Sequence, residues 1–378
     1  MINRNIIKSI IAIFIFLSLS LTGFSYTQSL RVSLLTQDPG DEMYAYFGHT
    51  ALRIKDDSLR IDLVYNYGTF DFNTPNFYLK FLRGDLDYCL SIDDFDYFVY
   101  ASYETKRTIH EQELLLTFEE KVEIAQLLET CYTTDARYYR YDFLKNNCAT
   151  KIRDIIEDAT GNRIDFNKSS YSGKTFRELL EPFVAKNYWI NFGINLGMGM
   201  ETDKLASPSD YMFLPIYIHD FFESSDFAKD SFVLLNASPE AKSGFNYSYL
   251  SPWIIVLVLI GLSFWSKSRK IILYIICIAF GLTGILLLFL DLYSLHAAIG
   301  NNLNTLWTLP AFLILFFRKK KLNEYFKITY ITIIALFIAL QGVLPQSIST
   351  TFIPWMILLI VTCLLDLKSF NKLILKKP

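Results

Sequence analysis

Two residues in the N-terminal half of the chain have the types and surroundings of a thiol acyl-transfer site. Cys148 follows Asn146 and Asn147 where a loop enters a predicted helix, and His49 follows Gly48 at the start of a predicted strand. A thiol in the first turn of a helix lies at the positive end of the helix dipole, which lowers its pKa and favours the nucleophilic thiolate. An imidazole can take the thiol proton as a general base. The sequence therefore predicts that Cys148 is a nucleophile and His49 its base.

A base of this kind is oriented by a polar group on its second ring nitrogen. The residues after His49 predict a hairpin with a turn at Asp56–Ser58, and pairing across that turn would bring Asp62 close to His49. Asn66 and Tyr67 are the alternative orienting residues. Cysteines at helix starts and histidines on strands also occur as structural residues, so the spacing alone leaves the catalytic interpretation open.

The pattern around these residues predicts an α+β domain. Runs that alternate apolar and β-branched residues, as strands do, cover residues 30–35, 44–54 and 59–67. Thr117 and Glu120 have the spacing of a capping box before an amphipathic helix. A second helix is predicted from Cys148 to about Ala159, with Gly161 or Asn162 at its end.

The composition divides the chain into two unlike halves. Hydrophobic residues make up 52% and charged residues 20%, which excludes a disordered chain. Residues 246–378 hold 12 of the 36 Lys and Arg but only three of the 38 acidic residues. The acidic excess therefore lies in the first 245 residues, and that half has no basic patch of the kind that binds nucleic acid.

The second half has the pattern of a transmembrane domain. The chain begins with basic residues, an apolar run and small residues, which indicates a secretory signal peptide or an uncleaved anchor at residues 1–25. Either segment would export residues 26–248. Beyond them, residues 249–378 contain five apolar runs that predict five membrane-spanning helices, at residues 253–265, 271–290, 303–317, 328–343 and 351–365.

The charges of the connecting loops predict the orientation. Lys and Arg residues follow the first, third and fifth runs, whereas the loops Tyr293–Asn302 and Leu344–Ser349 contain none. Because basic loops stay in the cytoplasm, the pattern predicts a multi-pass protein of the bacterial inner membrane with residues 26–248 in the periplasm.

The sequence gives no indication of a metal or cofactor. The three histidines of the exported domain, His49, His110 and His219, are too scattered to suggest a zinc site. Its three cysteines could form one disulfide and leave one thiol. We therefore expect neither a metal nor a cofactor in the reaction.

Several motifs together resemble the Lnb family of lipoprotein N-acyltransferases. They are Phe47-Gly48-His49-Thr50, Tyr65-Asn66-Tyr67-Gly68-Thr69-Phe70, Asn146-Asn147-Cys148-Ala149-Thr150, Asp203, and Phe213-Leu214-Pro215. That family joins an exported thiol domain to a multispanning C-terminal domain, so the resemblance covers nearly the whole chain. The order of the His-bearing strand and the Asn-Cys helix start also resembles the circularly permuted papain-like fold of the NlpC/P60 superfamily, as in lecithin:retinol acyltransferase.

The resemblance implies a two-step acyl transfer without a cofactor. Cys148 would take an acyl chain from a membrane phospholipid as a thioester, and the free α-amino group of a diacylated lipoprotein would then accept it, with His49 as the base. The phospholipid donor and the lipoprotein acceptor are the expected partners. Candidate substrate-binding residues are Gly48, Asn147, Tyr67 and Asp203.

Two other kinds of function use the same features. A membrane-anchored thiol hydrolase acting on peptidoglycan, peptides or phospholipids would use the same Cys148 and His49. A non-enzymatic binding module on a membrane anchor would make Cys148 dispensable. The acceptor, water or an amine, separates the hydrolase from the transferase.

Overall fold

A computed structural model describes residues 26–237, 247–311, 313 and 320–367. The predicted signal or anchor segment, residues 1–25, lies outside the described residues. The described chain forms a mixed α+β domain followed by a helical C-terminal region.

Seven strands form one antiparallel sheet in the order β6-β4-β3-β2-β1-β5-β7. The strands are β1 (Leu30–Gln37), β2 (His49–Asp56), β3 (Ile61–Thr69), β4 (Asp87–Asp94), β5 (Ile109–Glu113), β6 (Tyr138–Arg140) and β7 (Phe232–Leu235). The predicted strand at residues 44–54 begins only at His49, because Met43–Ala45 forms a 3₁₀ turn instead.

The described part of the chain contains eleven α-helices. The first seven are α1 (Phe77–Arg83), α2 (Phe95–Glu104), α3 (Phe118–Thr133), α4 (Cys148–Ala159), α5 (Phe176–Val184), α6 (Tyr188–Gly197) and α7 (Pro215–Glu223). The other four are α8 (Leu250–Ser263), α9 (Ser266–Tyr293), α10 (Lys320–Ala339) and α11 (Ile353–Asp366). The predicted capping box of Thr117 and Glu120 is confirmed at the start of α3, and the predicted helix Cys148–Ala159 is confirmed as α4.

The two faces of the sheet bury separate cores. On one face, Leu52 and Tyr65 pack with α3, α4 and α7 through residues such as Ile152 and Ile218, and this is the larger cluster. On the other face, Val64 packs with residues of α2. The larger core fixes α4 against β2 and β3, and therefore places the start of α4 near the end of the sheet where β2 begins.

The β2–β3 hairpin has a wider turn than the sequence suggests. Asp56 opposes Ile61, and Arg60 takes a left-handed conformation with φ 55° inside the turn. Consequently Asp62 opposes Lys55, at the far end of β2 from His49. The predicted register, which brought Asp62 to His49, was wrong.

In the C-terminal region, one described helix is long and apolar enough to cross a membrane. This helix is α9, whose 28 residues span about 42 Å. Helices α8 and α11 are apolar but shorter, with 14 residues each. Ion pairs join three of the C-terminal helices. Asp366 of α11 lies 2.6 Å from Nζ of Lys327 on α10 and 3.6 Å from Nε of Arg269 on α9.

The structure differs from the prediction at the third apolar run. Residues 303–306 form a 3₁₀ turn rather than an α-helix, and residues 312 and 314–319 lie outside the described residues. The local cause is hydrogen bonding by side chains. Nδ2 of Asn302 donates to the carbonyl of Leu196 at 2.8 Å, and Nδ2 of Asn304 donates to that of Asn195 at 3.0 Å, so this segment is held against α6.

Helix α6 joins the two parts of the molecule. Its Phe192 and Leu196 pack into the core of the helical region, and the hydroxyl of Tyr188 donates to the carbonyl of Thr351 at 2.6 Å. The loops between the helices also contact the N-terminal domain, as when the N–H of Gly199 donates to the carbonyl of Ala298 at 2.8 Å. In the second charge-poor loop, Nε2 of Gln346 donates to the carbonyl of Met198 at 3.0 Å, so both charge-poor loops contact the N-terminal domain.

A buried ion pair lies next to helix α6. Arg177 on α5 donates from Nε and Nη2 to both oxygens of Asp203, at 3.0 and 2.9 Å. The same guanidinium donates to Asn195 and Thr202, and Asp203 also accepts from the N–H of Ser347 at 3.1 Å. Asp203, a candidate substrate-binding residue, thus has a structural place at the domain interface.

We expect Arg177→Met to lower the free energy of unfolding by about 3–5 kcal/mol, because it leaves the Asp203 carboxylate buried without its cation. The matched control is Arg163→Met, which breaks a pair with Glu120 whose arginine is 41% exposed and should cost about 1 kcal/mol or less. Unfolding of both purified variants in the same detergent measures the difference. Equal losses would contradict a structural role for the Arg177–Asp203 pair.

Candidate active site

Cys148 is the first residue of α4, and Asn147 caps that helix. The Oδ1 atom of Asn147 accepts the N–H groups of Ala149 and Thr150, both at 2.9 Å, while the N–H of Asn147 donates to Oγ1 of Thr150 at 2.8 Å. Its Nδ2 atom donates to the carbonyls of Phe143 and Phe213. Asn147, a candidate substrate-binding residue, is therefore a buried cap that fixes the position of the nucleophile.

Two backbone segments of the sheet surround the Cys148 side chain. The N–H of Thr50, the residue after His49, donates to the thiol sulfur. Gly68 on β3 has φ +98°, and a Cβ at this position would lie 3.7 Å from Cβ of Cys148. The thiol therefore lies between the start of β2 and the end of β3, and its contact on β2 is with the residue that follows His49, the predicted base.

The His49 ring is held by a chain of polar groups on neighbouring strands. Its Nε2 atom lies 3.1 Å from Oδ1 of Asn66, and Nδ2 of Asn66 donates to the carboxylate of Asp93 at 2.9 Å. Because the amide nitrogen of Asn66 is committed to Asp93, its oxygen faces the ring and accepts the Nε2–H of His49. This hydrogen bond leaves Nδ1 as the ring nitrogen that can take the thiol proton.

Burial controls the charge state of the pair. It lowers the pKa of His49 to about 4, an effect that the charge of Arg107 adds to and the hydrogen bond to Asn66 opposes. Burial also raises the pKa of the Cys148 thiol, although hydrogen bonds from the N–H groups of Thr50 and Ala149 and the charge of Arg107 act in the opposite direction. The expectation of a lowered thiol pKa was therefore wrong in its net direction, because desolvation outweighs the helix dipole.

Arg107 is a buried cation at this site that sequence patterns did not indicate. Its side chain is 8% exposed, its Nε donates to the carbonyl of Asp38 at 2.8 Å, and its Nη2 has no hydrogen-bond partner among the described residues. Burial lowers the pKa of Arg107 to about 10, so the guanidinium stays charged at neutral pH. Its charge favours the thiolate of Cys148 and disfavours the imidazolium of His49.

The other candidate orienting residues lie elsewhere. Asp62 makes a bidentate pair with Arg53, with both N–O distances 2.7 Å, and its Oδ2 lies 3.3 Å from Nζ of Lys55. Tyr67 is 2% exposed in the larger core, where its hydroxyl contacts the thiol of Cys131. Of the three residues offered for this role, the structure therefore places Asn66 against His49.

At position 48, a candidate substrate-binding position, the local backbone conformation requires a glycine. It has φ +88°, and a Cβ there would lie 2.9 Å from the carbonyl oxygen of Gln37 and 3.5 Å from Cβ of Pro215. Any other residue would push β2 away from its neighbours just before His49. The role of Gly48 in this structure is thus to bring the base into position.

One described cluster has the residue types of a metal site. His219, Asp220 and Glu223 place ligand atoms within 4.8 Å of one another. The two ring nitrogens of His219 already lie 3.1 Å from Oδ1 of Asp220 and 3.0 Å from Oγ of Ser231.

All five cysteines of the chain are free, so the possible disulfide does not form.

Sequence reasoning missed three contributors to the site. Gly68 lies inside a motif that was singled out, but only its φ and its closeness to Cys148 reveal its role. Asp93 accepts a hydrogen bond from Asn66, which in turn contacts His49. Arg107, in the segment before β5, acts on the site through its charge. The last two depend on the strand order of the sheet, and no local pattern signals them.

We expect Gly68→Val to slow the alkylation of Cys148 by iodoacetamide by about tenfold, because the added methyl groups would crowd the thiol. The control is Gly173→Val, which imposes the same kind of backbone strain at φ +81° but has nothing within 4 Å of its Cβ position. Peptide mass spectrometry of the modified Cys148 measures both rates. Equal slowing in the two variants would mean that strain, rather than crowding, is responsible.

Comparison with known families agrees with this architecture. Residues 20–182 match the model of the Lnb N-terminal periplasmic domain, and residues 242–372 match the model of the Lnb transmembrane domain. No curated protein and no solved structure matches the chain. The two family matches cover both parts of the molecule in the order that the structure shows, so this is a membrane protein with a periplasmic domain, and it belongs to the Lnb family.

Proposed function

We propose that the protein is a lipoprotein N-acyltransferase that moves an acyl chain from a membrane phospholipid to the α-amino group of a diacylated, N-terminal cysteine. Membership of the Lnb family suggests a part in lipoprotein maturation. The observation that carries the proposal is that Cys148 at the start of α4 contacts the residue that follows His49, whose ring Asn66 holds, in a domain that packs directly on the C-terminal helices. We take its thiol domain to be papain-like and circularly permuted, because His49 on β2 precedes Cys148 at the start of α4 in the chain.

In the first half-reaction, Cys148 attacks the ester carbonyl of the phospholipid. His49 takes the thiol proton at Nδ1 while its Nε2–H stays on Asn66, and a bond forms between the sulfur and the carbonyl carbon. Collapse of the tetrahedral intermediate breaks the ester C–O bond, and the imidazolium gives its proton to the departing glycerol oxygen. The products are a lysophospholipid and an acyl thioester on Cys148.

In the second half-reaction, the neutral α-amino group of the lipoprotein attacks the thioester. A C–N bond forms, the C–S bond breaks, and the amine proton passes through His49 to the leaving thiolate. The capping box of α4 uses the N–H groups of Asn147, Ala149 and Thr150, so the N–H of Cys148 is the one in the first turn that we assign to the oxyanion.

The membrane domain supplies the location that this chemistry requires. Both substrates are anchored in lipid, and a soluble enzyme would have to extract acyl chains at about 0.8 kcal/mol per CH₂. A thiol site held on the membrane helices avoids that cost. We propose a multi-pass protein of the inner membrane, oriented with its two charge-poor loops toward the periplasm, where both contact the N-terminal domain.

We expect the protein, expressed in a strain that lacks its own lipoprotein N-acylation, to raise the mass of an N-terminal lipopeptide by one acyl chain. Cys148→Ala should abolish this gain because no thioester can form, whereas Cys89→Ala, which alters a half-buried thiol on β4, should preserve it. Mass spectrometry of the lipopeptide decides the outcome. No gain with the wild type would refute the transferase, and lysophospholipid or stem-peptide release without N-acylation would support a hydrolase instead.

We expect the release of lysophospholipid in the first half-reaction to fall off below about pH 4, because His49, with a pKa of about 4, must be neutral to accept the thiol proton. Arg107→Gln removes a charge that lowers this pKa, so the acid limb should move to higher pH. Arg107→Lys keeps the charge and should leave the limb near its wild-type position. A limb that stays in place in Arg107→Gln, or moves to lower pH, would contradict this electrostatic role.

A further inference from the structure

Helix α1 is apolar but buries none of its residues. Tyr78 is 77% exposed, Leu79 58%, Phe81 45% and Leu82 36%. A seven-residue helix with this composition gains little from packing in water, and its short length provides little stability of its own. The exposed apolar side chains therefore require a nonaqueous neighbour.

The position of α1 indicates what that neighbour is. The carbonyl of Arg83 accepts the N–H of Leu295, and the Arg83 guanidinium lies 4.9 Å from the ring centroid of Tyr293, the last residue of α9. Nε2 of His296 donates to the carbonyl of Phe81 at 2.9 Å. Helix α1 is thus fixed to the periplasmic end of the membrane-crossing helix, at the depth where aromatic residues mark the lipid interface.

A chain of aromatic rings leads from α1 toward the thiol. Successive ring centroids lie 6.2 Å apart for Phe81 and Phe77, 5.8 Å for Phe77 and Phe70, 5.3 Å for Phe70 and Tyr88, and 4.5 Å for Tyr88 and Tyr141. Tyr141 is the last ring of this chain and lies beside Cys148. A Cβ at Gly68 would be 3.9 Å from Cε2 of Tyr141 and 3.7 Å from Cβ of Cys148.

We propose that α1 lies in the outer leaflet of the membrane and that the acyl chain of the donor phospholipid travels along this aromatic wall to Cys148. The proposal rests on the proposed function and extends it, since it assigns the route of the donor. Lys80 and Arg83 on the same helix suit the phosphate level of a bilayer, with the apolar residues below them. Such a route lets the acyl chain reach the thiol without crossing water.

The membrane contact can be tested without any enzyme activity. A photo-crosslinking phenylalanine analogue replaces Tyr78 in the full-length protein, reconstituted in vesicles of phosphatidylethanolamine and phosphatidylglycerol. The control position is Tyr97 on α2, which is 60% exposed and follows the other end of β4, a strand of 8 residues about 24 Å long. We expect phospholipid adducts at position 78 and none at position 97. No adduct at position 78, or equal yields at both positions, would overturn the placement of α1 in lipid.

The route is tested by the rate of lysophospholipid release from the same vesicles. We expect Tyr78→Asp to lower this rate by about fivefold relative to Tyr97→Asp, because a carboxylate at the interface disfavours contact with lipid. Acylation of Cys148 by a water-soluble short-chain ester, measured in both variants, normalises the rate for folded protein. Equal normalised rates would overturn the route. Lipid adducts at position 78 together with an inactive wild type would instead refute the proposed acyltransferase.

Discussion

The candidate active site depends on the burial of the Cys148 thiol and of the His49 imidazole. Burial raises the pKa of Cys148 and lowers that of His49, so the resting pair consists of two neutral groups. Two neutral partners need only dipoles to hold them, and the fold supplies these from the Thr50 backbone and the Asn66 amide. In the proposed reaction, the thiolate forms only as a substrate carbonyl takes up its charge.

The same requirement explains why the backbones of β2 and β3 approach the thiol closely. Gly48 lets β2 approach Gln37 closely, and Gly68 lets β3 approach Cys148. Both glycines have positive φ, a conformation that other residues adopt only with strain. Arg107 adds a buried positive charge near both groups, which favours the thiolate of Cys148 and the neutral form of His49.

Local patterns predicted the elements of the site, and long-range packing decided its contacts. The helix from Cys148 and the capping box of Thr117 follow from residues within one or two turns, so the sequence sufficed for both. The hairpin was predicted, but its turn extends to Arg60, which is in a left-handed conformation, and Asp62 therefore lies away from His49. Likewise, Asp203 belongs to a motif, yet only the fold reveals that Arg177 is its partner.

The irregular third apolar run follows from the way that α6 enters the membrane domain. Helix α6 ends at Gly197, and its last carbonyls need hydrogen-bond donors where water is scarce. Asn302 and Asn304, which are 4% and 1% exposed, provide those donors, and they can do so only because their segment is not a regular helix. The polar joint therefore fixes the position of the N-terminal domain relative to the C-terminal helices.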